Sequence, residues 1–229
     1  MSLARSGRRY GIGQYRYPRS FQLAGDRFTV VSADGSSGVL EFLDRERLTW
    51  AVDGAEAELS YYECIPVAED VYFVSFEIAP RFAVVDLARG QLFLVDVATD
   101  EAVVFAIDGL RSADEIDAGV TDEMTGTSVT WTFGDARYLK IEHLSAAQSR
   151  QSWSPRDDRL HVRPTTALRI ADGLYLVLAH TAAPPGIDLP QGLNRLVMVQ
   201  DFERVVTVGA ATSVVFNERI LFSGYGAFA

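Results

Sequence analysis

The chain reads as an all-β protein built of two tandem antiparallel β-barrels that arose by internal duplication. Three observations carry this reading. Apolar residues alternate with period two in short runs, and turn residues interrupt the runs at intervals near ten. Strands alternating with long helices are absent, so a doubly wound sheet is not expected. The pattern also occurs twice. Ala68-Glu69-Asp70-Val71-Tyr72-Phe73-Val74 is matched by Ala171-Asp172-Gly173-Leu174-Tyr175-Leu176-Val177, an offset of 171 − 68 = 103 residues. Trp50 and Trp153 share that offset, and Leu23-Ala24-Gly25 and Met124-Thr125-Gly126 open the copies at nearly the same spacing. A period this long signals a duplicated domain rather than a solenoid.

The elements follow in order. Residues 1–20, with Arg5, Arg8, Arg9, Arg16 and Arg19, read as a flexible basic arm. The first barrel is assigned to 21–112. Its strands are Phe28–Ser32, Val39–Phe42, Leu48–Val52, Ser60–Val67, Val71–Ile78, Arg81–Leu87, Gln91–Val97 and Ala102–Ile107. Ala33-Asp34-Gly35, Arg89-Gly90 and Thr99-Asp100 supply turns. Residues 113–123 form a linker rich in Asp, Glu, Ser and Gly, with room for a short helix within Ala113–Ala118. The second barrel is assigned to 124–229. Its strands are Ser128–Phe133, Arg137–His143, Ser149–Trp153, Arg159–Arg163, Thr166–Ile170, Leu174–His180, Arg195–Gln200, Val205–Val208 and Ser213–Phe222. Ala182–Gly192 holds Pro184, Pro185, Gly186 and Pro190 and reads as an irregular loop. Val71–Ile78 and Leu174–Ala179 are apolar on both faces, which suits a barrel wall that is covered on the outside.

Composition narrows the function. The net charge is −10 over 229 residues, and the pI is near 4.8. Neither nucleic acid nor an anionic membrane surface is an expected partner. No stretch approaches the apolar length of a membrane span, and no apolar segment follows the basic arm to make a secretory signal. Cys64 is the single cysteine. It permits no intrachain disulfide, fits a cytoplasmic location, and reads as a buried inert thiol. Free strand edges would make self-association possible.

The residues Leu23-Ala24-Gly25, Trp50, Val71-Tyr72-Phe73-Val74 and Val84-Val85-Asp86-Leu87 with Gly90 recur in order in the second copy. There the counterparts are Gly126, Tyr138–Leu144, Ser152-Trp153, Ile170–Leu176 and Leu196–Phe202. This order resembles the two-part MoaF family over roughly residues 20–210. The resemblance implies tandem calycin, or lipocalin-like, barrels similar in architecture to the phenolic acid decarboxylases. The chain departs from the family in its Ala182–Gly192 loop and at His180. Fold and style of site carry over, and no catalytic residue does.

Candidate chemistry therefore comes from the residues themselves. All three histidines lie in the second copy. His143 shares a face with Leu139 and Ile141, and His180 shares one with Leu174, Leu176 and Leu178. Either could face a barrel interior and move protons near neutral pH. His161 shares its face with Arg163 and reads as solvent-directed. Position 180 − 103 = 77 makes Glu77 the counterpart of His180. Glu63, alternating with Tyr61 and Ile65, would have a raised pKa if it projected into an apolar pocket. Tyr61, Tyr72, Tyr138, Trp153 and Tyr175 are ligand-binding candidates. For each of these a structural role is the simpler account: core packing for the aromatics, solvation for the strand-end charges.

Gly11-Ile12-Gly13 lacks the third glycine of a dinucleotide loop, and no Walker, nucleophile-elbow or zinc-helix motif is present. Neither cofactor nor metal is expected. The expected function is a cofactor-independent lyase, isomerase or cyclase acting on a small apolar or aromatic metabolite inside one barrel. The alternatives are a non-catalytic carrier with the same pocket, or a scaffold whose barrels are filled.

Overall fold

Within each barrel every strand pairs with the next one in the chain, as antiparallel hairpins do. The computed structural model describes residues 17–77, 81–116, 119–133, 137–153, 161–181, 194–213 and 218–228. The first barrel contains β1 (Arg27–Ser32), β2 (Ser37–Phe42), β3 (Arg47–Val52), β4 (Glu58–Ala68), β5 (Val71–Phe76), β6 (Arg81–Asp86), β7 (Gln91–Asp96) and β8 (Glu101–Ile107). The second contains β9 (Ser128–Phe133), β10 (Arg137–Ser145), β11 (Gln148–Ser152), β12 (His161–Ala171), β13 (Leu174–His180), β14 (Arg195–Asp201), β15 (Val206–Ser213) and β16 (Glu218–Phe228). Both are closed antiparallel rings in chain order, with β1 meeting β8 and β9 meeting β16. Each ring is an up-and-down barrel without free edges.

The compact units are Pro18–Ala118 and Gly119–Ala229, the latter also taking in Tyr17. Tyr17 donates its backbone N–H to Ser223 Oγ at 2.8 Å and packs edge-on against Tyr225. A single 3-10 turn, Ala113–Glu115, precedes Gly119.

The duplication is visible in detail. β4 and β12 both carry a bulge, between Pro66 and Ala68 and between Arg169 and Ala171. The following turns place Asp70 at φ 55° and Gly173 at φ 69°. Asp86 and Asp201 each accept the backbone N–H three residues on, from Arg89 at 3.0 Å and Arg204 at 2.8 Å. Tyr72 donates to Gln22 Oε1 at 2.7 Å, and Tyr175 donates to Glu123 Oε2 at 3.0 Å. Beside those acceptors, Leu23 and Met124 enter the two cores and plug the same end of each barrel. Gly25 and Gly126 tie this plug to the wall by donating to Phe42 O and His143 O.

The pairing assigns the faces. In the first barrel Leu40, Trp50, Tyr62, Cys64, Val74, Val85 and Phe105 point inward and form one buried cluster. In the second, Trp131, Ile141, Ala167, Val177, Met198 and Phe222 do so. Outward residues of β5, β6, β13 and β14 are buried as well, among them Phe73, Phe82, Leu176 and Val197. This accounts for strands that read as apolar on both faces.

Three expectations need correction. β12 is one strand where two were expected, because Pro164 lies opposite Gln148 without interrupting the run. The last two strands divide between Ser213 and Glu218 rather than before Ser213. The low-propensity run Gly209-Ala210-Ala211 masks the end of β15, though all eight of its residues are buried. The register also gives Trp50 the counterpart Gln151, not Trp153. β3 Leu48 faces Ser60 and β11 Ser149 faces Arg163, so the offset at these strands is 149 − 48 = 101. The Ala182–Gly192 loop and Gly11-Ile12-Gly13 lie outside the described residues.

Candidate functional site

The interiors have diverged at matched positions. The inward side chains Phe42, Leu48, Trp50, Tyr62, Val85 and Leu92 of the first barrel become His143, Ser149, Gln151, Thr165, Gln200 and Thr207 in the second. Burial is not what changed, because those second-barrel residues are 0–5% exposed. A packed apolar lumen has become a polar one.

His143 lies near the end of β10 and Gln200 near the end of β14. Their strands are four apart in either direction around the ring. The 3.2 Å contact between His143 Nε2 and Gln200 Oε1 therefore crosses the lumen. Below it Phe202 packs against His143, Trp131 and Tyr175. The His143–Gln200 pair is thus the floor of the lumen at its plugged end. From His143 the polar band continues to its cross-strand neighbour Ser149. Ser149 Oγ lies 2.6 Å from Thr165 Oγ1 and accepts from Gln151 Nε2 at 3.1 Å. Trp153 donates its indole N–H to Thr181 Oγ1 at 2.9 Å.

Four buried polar atoms on this lumen have no protein partner among the described residues: Trp131 Nε1, His143 Nδ1, Gln151 Oε1 and Gln200 Nε2. An unpartnered buried donor or acceptor costs roughly 1–3 kcal/mol. Gln200 Oε1 accepts when His143 Nε2 carries the proton, and that tautomer leaves Nδ1 as a lone-pair acceptor. Burial pushes the imidazole down to about 4, against a smaller raising effect of Gln200. The ring is therefore neutral across the ordinary pH range.

The first barrel offers something different. Its open end is a cleft of 270 Å³ floored by Trp50, Leu94 and Val103. Arg81 stands over it, 2.8 Å from Glu58 and 3.3 Å from Asp96. Below the cleft the interior is filled by apolar side chains. The cleft and the polar interior thus fall in different barrels.

Residues 9–104 match the family model described as the MoaF N-terminal domain. Over that span the chain is similar to this domain. A comparison with curated proteins finds no match. The matched span ends within β8, so it covers the first barrel, while the polar lumen belongs to the second barrel, outside that span. Among the described residues no three metal-ligating side chains cluster, and no helix is long and apolar enough to cross a membrane.

Of the residues singled out from the sequence, His143, Trp153 and Tyr175 reach the second lumen, and Tyr72 reaches the first. Burial and the hydrogen bond to Glu123 raise the Tyr175 phenol, and burial raises that of Tyr72. Both hydroxyls are engaged in the matched ties to Glu123 and Gln22. Five candidates lie on the outer face. Glu63 does not project inward, because the bulge-free part of β4 turns Tyr62 and Cys64 to the lumen. Its carboxylate instead pairs with Arg19 at 2.8 Å. His180 shares the outward face of β13 with Leu176, and Glu77 follows the outward Ser75. Tyr61 is half exposed, and Tyr138 lies on the outward face of β10. The candidate acid–base groups are therefore not brought together.

Gln200, Gln151 and Trp131 were missed from the sequence. The available signal was a polar residue replacing an apolar one at a matched position, and reading it needed the 101- and 115-residue offsets of the neighbouring strands, as in 200 − 85 = 115.

Proposed function

We propose that the second barrel is a small-molecule site for a compact, largely apolar or aromatic metabolite. The observation that supports this is the divergence of the two interiors, which, among the described residues, leaves unpartnered buried polar atoms on one lumen only. Apolar walls with a few convergent polar groups suit small ligands. The floor pair His143–Gln200 would orient the ligand, and Trp131, Trp153 and Val177 would cover its apolar part. A cytoplasmic location belongs to the same reading, resting on the single buried thiol Cys64, which burial pushes up to about 12.

A second reading adds turnover. His143 keeps Nδ1 open and neutral, so it can accept a proton from a bound ligand in a cofactor-free isomerase, lyase or cyclase reaction. The low proton affinity of the buried ring makes it a weak base, which favours binding over catalysis. Native mass spectrometry of the protein purified from its own cells, followed by extraction, tests the first reading. A retained small molecule supports it, and a clean mass with no thermal shift across an aromatic panel refutes it. His143→Ala separates the second: an enzyme loses turnover while affinity stays within about tenfold, roughly 1.4 kcal/mol.

A further inference from the structure

The two barrels exchange polarity between mouth and interior. At the open end of the first, the inward residues are Arg81, Asp96 and Glu101. Their counterparts in the second are Leu196, Ala211 and Ile220, all buried. Ala179 joins this ring, since it pairs with Leu196. Among the described residues these four form one apolar side of a collar at the mouth of the second lumen, above its polar floor. A charged group would have to shed its hydration at the collar, and the floor offers it no opposite charge. The floor pair instead presents a donor at Gln200 Nε2 and an acceptor at His143 Nδ1, with Trp131 Nε1 and Gln151 Oε1 unpartnered elsewhere on the lumen among the described residues.

We propose that the ligand of the second barrel is an uncharged molecule that meets the floor with a group able both to donate and to accept a hydrogen bond, such as a hydroxyl or a carboxamide. This rests on the reading of that barrel as a small-molecule site. The donor and acceptor sets on the floor balance, so a group with only one role would leave the other set unpaired. Specificity of this kind is steep, because each missed partner stays buried. Arg163, half-buried on the inward face at the start of β12, is the group that would favour an anion instead.

The test uses the full chain and five probes sharing one ring: phenol, benzamide, toluene, benzoate and benzylammonium. Binding is read from tryptophan fluorescence and thermal shift. Phenol and benzamide are expected to bind at least tenfold tighter than the other three. His143→Phe with Gln200→Val, the residues of the first barrel at those positions, should remove that preference. Gln200→Leu, of nearly the same volume, repeats the test should the double variant not fold. Toluene binding as well as phenol, benzoate binding best, or a preference unchanged in the variants overturns the proposal and leaves the site itself standing. Failure of all five probes overturns both.

Discussion

His143 is where residue chemistry has a measurable consequence. Its imidazole is held at about 4 by burial, whereas in the unfolded chain it titrates near 6.5. Between these values the unfolded state binds the extra proton, so stability rises with pH there. The native state is expected to lose roughly 3 kcal/mol as pH falls from about 6.5 to about 4. His143→Phe should flatten that part of the profile in urea titrations, and an unchanged slope would refute the assignment. Cys64, by contrast, belongs to the first core, and its raised thiol leaves it without a role in exchange chemistry. The sequence distinguished these two correctly: one titratable side chain on an apolar face, one thiol without a base. It could not distinguish His143 from His180. Both follow apolar residues in steps of two, and period alone does not say which face of a doubly buried strand meets the lumen.

At the scale of elements, register decides what alternation leaves open. Glu63 and Tyr62 are neighbours, and a shift of one residue exchanges inside for outside. Turn chemistry was legible, since Asp70 and Gly173 stand where a positive φ is needed. Pro164 and the small-residue run of β15 were not, because tertiary packing overrides local propensity there. That run has a use. A methyl added at Gly209 would lie 2.3 Å from Val197 O and 2.9 Å from Met198 Cα, both backbone atoms of the paired strand. Gly209→Ala is therefore expected to destabilise by about 1–3 kcal/mol. Gly119→Ala, with nothing within 4 Å, should change stability by less than ~0.5 kcal/mol. Equal melting temperatures for the two variants would contradict the close approach of β14 and β15. The turn Phe202–Val205 is another such place. Val205 holds φ 53° where the first barrel has Gly90 at φ 63°. A β-branched residue tolerates that conformation poorly, and here it lies in the turn that presses Phe202 against His143.

Across the whole molecule, duplication separates what is structural from what is particular to one copy. Features present twice, such as the Tyr72–Gln22 and Tyr175–Glu123 ties, belong to the frame. Tyr72→Phe and Tyr175→Phe should each cost about 1 kcal/mol, and Tyr72→Phe should leave ligand binding in the second barrel unchanged, as calorimetry of the two variants would reveal. Features present once, such as the His143–Gln200 bar, are the ones on which the proposed site rests. The repeat was readable because the turn after β4 and the strand after it keep one offset. The divergence of the lumens was not, because the offset drifts from strand to strand and the matching positions fall out of step.

The closure of each ring carries one more consequence, in the order of assembly. Within a barrel every pairing but one joins neighbours in the chain. The exception in the first is β1 with β8, where Val30 meets Ile107, 107 − 30 = 77 residues away, and the register spans three pairs against five for β1 with β2. Hairpins form early because they close short loops, whereas the seam must close the whole meander and recovers few bonds for it. The seam is therefore expected to form last in folding and to part first in the native state. Amides bonded across β1 and β8 should exchange with solvent faster than those between β5 and β6, and the barrel would open there as a curled sheet whose two ends separate.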